Sequence, residues 1–303
     1  MGPQFAPLPP VPTLPSGDAP NLFDVWGTST RDIWVVGEGS SVFRWDGARW
    51  TRAYTPTGTE AADLVSIWGR DDEDVYVVGD DGQILHYFTP QGALAPAWIR
   101  EPTPTRANLN AVHGHEDQVW AAGNAGTLLR RDPDQGWTAV DADTQENLNG
   151  LWIGGRNEGL AVGNLGVITQ YNGRRWRRQR VSGLTAALQQ VAGTARDRLY
   201  IVGLDGTLLR AEGNRWTQVE AVPSVYLRDV AVTGDRTLWA VGWSGAVIAT
   251  DGAALTPFFD FTDRRLEGIW GAEEPLAETS STGATTRDVF HVVGVSGTVL
   301  RGP

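Results

Sequence analysis

An apolar strand that ends in glycine returns seven times along the chain, and this constrains the fold more than any other feature of the sequence. It reads Asp32-Ile33-Trp34-Val35-Val36-Gly37, then Asp74-Val75-Tyr76-Val77-Val78-Gly79. It returns as Val119-Trp120-Ala121-Ala122-Gly123, Leu160-Ala161-Val162-Gly163 and Leu199-Tyr200-Ile201-Val202-Gly203. The last copies are Leu238-Trp239-Ala240-Val241-Gly242 and Phe290-His291-Val292-Val293-Gly294. The terminal glycines are spaced by 42, 44, 40, 40, 39 and 52 residues. A strand-bearing period of this length is that of a propeller blade, and an array of such units counts as one domain at any length. The sequence therefore predicts an all-β, seven-bladed β-propeller over 1–303, with four antiparallel strands per blade.

Around each glycine-terminated strand b, three further segments recur. Strand a opens on Leu22, Leu64, Leu109, Leu148, Leu188, Leu227 or Leu266. Strands a and b are apolar at consecutive positions, as expected when neighbouring blades cover both faces of a sheet. Strand c follows a Gly-x-x-Gly turn such as Gly79-Asp80-Asp81-Gly82, read as a type I turn closed by one left-handed glycine. Blade 1 departs from it, with Gly39-Ser40. Strand d starts at Trp50, Trp98, Trp137, Trp176 or Trp216, with Leu255 in that place in blade 6. The blades span 22–54, 64–101, 109–141, 148–181, 188–220, 227–260 and 266–301. The last lacks a strand d, and segment 4–12 is predicted to supply it. Phe5 to Thr13 matches Trp216 to Ser224, which puts Phe5 in the aromatic position. Its prolines suit an outermost strand, whose free edge needs no ladder donors.

The run Trp34-x-Val36-Gly37 and the turn Asp46-Gly47-Ala48-Arg49-Trp50 resemble the BNR/Asp-box class of propellers, most of all the photosystem II stability/assembly factor-like repeats. Partial copies of the turn are Asn172-Gly173-Arg174-Arg175-Trp176 and Glu212-Gly213-Asn214-Arg215-Trp216. The resemblance covers residues 22–301. It implies a propeller fold and a structural turn lying away from the ligand face. Sialidases share the box, yet they add an arginine triad and a Tyr/Glu nucleophile pair, and no such set is assigned here.

Composition narrows the function. With no cysteine, thiol nucleophiles, disulfides and thiolate metal sites are excluded. All 25 basic residues are arginine, a bias of base composition pointing to a bacterial source. A net charge of −11 disfavours nucleic acid as a partner, since phosphate contacts need a basic face. No apolar run reaches the roughly 20 residues of a membrane span. No signal peptide is visible, and Met1-Gly2-Pro3 reads as a truncated start that leaves room for a removed leader. The expected setting is periplasmic or extracellular.

Several groups compete as sites. His113-Gly114-His115 brings two histidines together, but His113 stands where Trp26, Trp68, Trp152 and Trp270 stand in other blades, so a packing role is expected and no metal. Arg174, Arg175, Arg177, Arg178 and Arg180 form a patch for an acidic partner, or else a charged edge that resists strand pairing. The acids ahead of strand b (Asp32, Asp74, Asp117, Glu158, Asp197, Asp288) are read as turn caps. After each strand-a leucine come Phe23, Val65, Asn110, Asn149, Gln189, Arg228 and Glu267, expected to ring the channel mouth. On that face the turn tips run Glu38, Asp80-Asp81, Asn124, Leu165, Leu204, Trp243 and Val295, beside loop residues Tyr226, Phe258, Phe259 and Phe261. Segment 272–287 reads as a surface loop on the opposite face.

Three functions follow. The first is a non-catalytic protein-binding or scaffold propeller, anchored by Trp243 with Leu204, Tyr226, Phe259 and Arg228, and without a buried ionised cluster. The second is a glycosidase or lyase at the channel mouth, where Arg228 and Glu267 are the charged members of the ring. The third is a glycan-binding module built on Trp243. None of the three calls for a cofactor.

Overall fold

The computed structural model describes residues 5–56, 61–213, 215–219, 225–233, 237–250, 255–258, 262–275 and 286–302. Seven four-stranded antiparallel sheets form the seven blades of a propeller. Blade 1 comprises Leu22–Ser29, Asp32–Gly37, Ser41–Trp45 and Trp50–Tyr54 as strands a to d. The order repeats from Leu64, Leu109, Leu148, Leu188 and Leu227. Blade 7 takes strands a to c from Leu266–Pro275, Thr286–Gly294 and Thr298–Gly302, and its outer strand from Ala6–Pro7. The core lies between blades. Strand b is buried along almost its whole length, which is why it is apolar at successive rather than alternate positions.

The b–c turns differ from the single left-handed residue expected. Two consecutive residues are left-handed in every blade: Gly39/Ser40, Asp81/Gly82, Ala125/Gly126, Leu165/Gly166, Asp205/Gly206, Ser244/Gly245 and Ser296/Gly297. The second position favours glycine for a further reason. A Cβ on Gly126 would stand 2.1 Å from the carbonyl oxygen of Thr144 in the next d–a loop. That approach lets the Gly126 N–H donate to Glu146 O at 2.9 Å and the Gly206 N–H to Val225 O at 2.8 Å. In blade 1, Ser40 takes the second position and donates to Ala62 O from both its N–H and its hydroxyl. Each turn is thus tied to the following blade.

Aromatics one strand apart fill the space between blades. Trp34, Tyr76, Trp120, Tyr200 and Trp239 are buried in strand b. The strand-d tryptophan of the next blade meets them edge-on: Trp98 on Trp34 at 5.6 Å, Trp137 on Tyr76 at 6.3 Å, Trp176 on Trp120 at 5.5 Å. Phe5 meets Trp239 in the same way at 5.7 Å, so the N-terminal segment reproduces a strand d at its aromatic. Ala6 and Pro7 pair with Arg301 and Leu300. Leu160 breaks the layer in blade 4, and a small cavity opens beside it, lined by Ala211 and Trp216.

His291 holds the strand-b position in blade 7. It is fully buried, and neither ring nitrogen has a hydrogen-bond partner. Burial, reinforced by Arg301, pushes its pKa down to about 4. The unfolded chain therefore takes up a proton that the folded chain refuses, and stability falls as pH drops from about 6.5 toward 4. The shift corresponds to about 3 kcal/mol. Asp24 and Asp229, whose pKa values burial raises, act with the opposite sign over the same range, so the variant has to be compared with the parent. His291→Phe is expected to flatten the acid side of the melting-temperature profile. Parallel profiles for the two proteins would show that the ring is not a source of acid lability.

Candidate functional site

The b–c turns and d–a loops share one face of the ring. On it, Trp243 opens the blade 6 turn and is 40% exposed. Tyr226, just before strand a, lies flat against the indole, with ring centroids 4.4 Å apart and planes 5° apart. The Arg265 guanidinium lies over the indole, 5.4 Å from its centroid. Burial holds the Tyr226 phenol above its ordinary pKa. Leu204 is half-buried in the neighbouring turn, whereas Leu165 in blade 4 is 60% exposed. Leu165 is the second turn residue, not the first as aligned from sequence; Asn164 takes the place matching Leu204 and Trp243. Phe259 and Phe261 lie outside the described residues, as does the Phe258 side chain and most of the 272–287 insertion.

Arg228 lies beside the Tyr226 phenol and also reaches across the channel mouth. Its guanidinium turns along the channel mouth, donating to Gln189 Oε1 at 2.7 Å and to Glu267 Oε2 at 3.1 Å. Asn110 and Asn149 also work between blades, donating to Leu148 O and Leu188 O at 2.8 Å each. They reach the first turn residues as well, Asn124 at 2.9 Å and Asn164 at 3.0 Å. These residues do ring the channel mouth and are bonded to one another across it. A small cavity of about 20 Å³ lies among them, room for one or two waters. Below it the channel widens to about 290 Å³, walled by Trp26, Trp68, Trp152 and Trp270.

Asp24 and Asp229 face this channel and were not singled out from sequence. A bulge follows the first leucine of every strand a, between Leu22 and Asp24 and between Leu227 and Asp229 in these two blades. It turns two successive residue columns inward where alternation would turn one. Asp24 accepts N–H bonds from Val25 at 2.8 Å and from Ile67 of the next blade at 2.9 Å. Asp229 accepts them from Val230 at 2.8 Å and from Ile269 of the next blade at 2.7 Å. Burial raises the pKa of both, and the charge of Asp229 raises Asp24 further.

A buried ionised cluster also exists, against expectation. His86 is held between blades 2 and 3 by Asp74 at 2.7 Å and Glu101 at 2.8 Å. Glu101 is gripped by Arg131 at 2.9 Å and by the Trp137 indole N–H at 2.6 Å. Burial opposes charge on His86, but the bonds to Asp74 and Glu101 outweigh it and raise its pKa. Burial opposes charge on Glu101 too, but His86 and Arg131 hold its pKa down at about 2. Tyr76 and Phe88 stack on His86 at 3.9 and 4.2 Å and leave its ring no access to a substrate.

The acids ahead of strand b are pairing groups more than turn caps. Asp32 binds Arg44 at 2.6 Å and accepts from the Thr28 hydroxyl at 2.8 Å, and Asp117 binds Arg156 at 3.0 Å. Turn capping falls to the c–d turns, where Asp46 accepts the Ala48 and Arg49 N–H groups at 2.9 Å each. Asn172 does the same for Arg174 and Arg175 at 3.1 Å each. Arg174, Arg175, Arg177, Arg178 and Arg180 are all exposed on the turn and outer strand of blade 4, with Arg177 3.7 Å from Asp143. His113 lies in the tryptophan column, 5.9 Å from Trp68, and its Nδ1 accepts the Ile153 N–H at 3.1 Å.

No family model matches the chain. The immune protein Tsi7 of Pseudomonas aeruginosa is 27% identical over 162 residues, 50% of this chain. The match spans about half of that relative's own length, 48%. YCF48 bound to D1 peptide superposes with a TM-score of 0.70 at 15% identity, over 99% of this chain and 94% of its own. The WD40 β-propeller domain of Doa1 gives 0.75 at 12% identity, over 100% and 97%. Ring closure, blade count and these superpositions agree: the chain is a seven-bladed β-propeller, similar in fold to YCF48 and to the WD40 domain of Doa1.

Proposed function

We propose that the protein is a non-catalytic binding propeller of a bacterial secreted, periplasmic or surface system, and that it captures another protein on the face of b–c turns and d–a loops. The observation that carries this is Trp243. A turn tip gains nothing from a large aromatic, yet here one stands exposed between Tyr226 and Arg265. Tryptophan and arginine are the side chains on which protein interfaces concentrate their energy. YCF48 holding a peptide is a propeller of the same build, and an immune protein among the relatives fits work done by binding. Among the described residues no helix is long and apolar enough to cross a membrane.

Trp243→Ala is expected to keep the fold and to weaken partner capture by about 2 kcal/mol or more, roughly 30-fold in Kd. Affinity capture from the native organism, then titration of the captured protein against both forms, reads this out. A large loss of stability with affinity retained would make Trp243 a loop-packing residue and move the search to Arg174–Arg180.

The glycan reading is weakened by the stack itself. Sugars lie on an open aromatic face, and here the Tyr226 ring stacks on the indole while the Arg265 guanidinium also lies over it. An enzyme reading draws on the two channel carboxyl groups, Asp24 and Asp229. Both oxygens of each accept main-chain amides, which suits a tie between blades better than proton transfer.

A further inference from the structure

The seven turn tips differ in one respect that bears on what this face binds. The first left-handed residue of each tip directs its N–H toward the residue that precedes strand a of the next blade. In four blades that residue is Asp or Asn and caps the N–H: Gly39 donates to Asp63 at 3.0 Å, Asp81 to Asn108 at 3.2 Å, Ala125 to Asn147 at 2.9 Å and Ser296 to Asn21 at 3.0 Å. In blades 4, 5 and 6 the capping position holds Ala187, Tyr226 and Arg265. Alanine has no acceptor and arginine has only donors. Tyr226 and Arg265 are both turned onto Trp243 instead. Among the described residues, the N–H groups of Leu165, Asp205 and Ser244 have no protein partner.

The same arc carries two exposed apolar side chains, Leu165 and Trp243. Leu165 combines a φ of 53° with 60% exposure. A leucine gains nothing there, because a left-handed backbone disfavours its Cβ and water disfavours its side chain. The other blades place Gly39, Asp81, Ala125, Asp205, Ser244 and Ser296 at this point. Donors without acceptors in blades 4 to 6 thus share one arc with exposed Leu165, half-buried Leu204 and the part of Trp243 left open.

We infer that blades 4 to 6 form an open capping track for an extended polypeptide segment of another protein, whose Asn or Asp side chains supply the missing caps while its apolar side chains cover Leu165, Leu204 and the edge of Trp243. The complementarity is read from the protein itself: where the track is filled internally, Asn or Asp fills it. The inference rests on the reading of this face as a protein-binding surface and adds the chemistry of the partner.

The test uses a phage-displayed library of random 12-residue peptides selected on the full chain. Enriched peptides are expected to combine Asn or Asp with Leu, Ile or Phe. Ala187→Asn installs in blade 4 the cap that Asn147 provides in blade 3 and leaves Leu165 and Trp243 in place. It should weaken these peptides roughly tenfold, the scale of one hydrogen bond. Slowed amide exchange at Leu165 shows that the new cap has formed, and Arg265→Asn makes the same test in blade 6. Peptides without acceptor side chains, or equal affinity for the capped variants, overturn the inference. Peptides that lose affinity in Trp243→Ala but not in Ala187→Asn would do so while leaving the protein-binding reading standing. Peptides indifferent to both variants would remove both.

Discussion

Deleting residues 1–13 is expected to produce the largest loss of stability accessible without touching the repeats. The segment closes the ring. Phe5 fills the aromatic place against Trp239, Leu8 donates to Val299 O at 3.0 Å, and buried Val11 joins the core between blades 7 and 1. Burying a side chain of this kind stabilises by about 1.5–3 kcal/mol, and each ladder bond adds about 1 kcal/mol. The sum exceeds about 5 kcal/mol before the exposed edge of Thr298–Gly302 is considered. For a chain this long the melting temperature should fall by about 8 °C or more. An unfrayed edge also blocks association, so the truncated protein should self-associate on size exclusion. Unchanged melting would mean that the ring holds without its closing strand.

Trp120→Ala should cost about 3–5 kcal/mol, as large core truncations do. The indole is 1% exposed, with Trp176 and Tyr171 against it and Arg130 5.6 Å from its centroid. Its N–H makes no hydrogen bond, so the effect is one of packing alone. Chemical denaturation measures it, with Leu160→Ala as the internal comparison. The cost at Leu160 should be the smaller, because that site already borders a cavity. A loss under about 1 kcal/mol at Trp120 would show that the indole can leave the space between blades at little cost.

The repeats were legible because glycine and tryptophan recur for steric reasons that act in every blade alike. Gly37, Gly79 and Gly123 each stand where a Cβ would press on the carbonyl of the residue before strand a, at 2.0–2.1 Å. Phe5 was legible by alignment with Trp216, since closing a ring asks for the same aromatic as continuing it. The capping column was equally present in the sequence as Asn21, Asp63, Asn108, Asn147, Ala187, Tyr226 and Arg265. Its meaning was hidden, because it depends on the doubled left-handed turn, and a single glycine signal does not reveal the second residue. Asp24 and Asp229 escaped for a related reason. Strand alternation points one residue in two toward the channel, and the bulge after each leucine breaks that rule. Arg265 was missed because stacking on Trp243 is a relation between neighbouring blades that no single repeat contains.

The salt-linked crossbar of Arg228, Gln189 and Glu267 gives the ring a sidedness that its near-sevenfold symmetry does not suggest. At that mouth the axis is lined by bonded polar groups, and farther along it by tryptophans. The tryptophan-walled cavity lies toward the end bearing the a–b loops, away from the face that carries Trp243 and Leu165. A protein seated on that face would sit over the bonded mouth, away from the tryptophan walls. What it changes could reach the opposite side only through the frame itself, passing from turn to loop and from blade to blade.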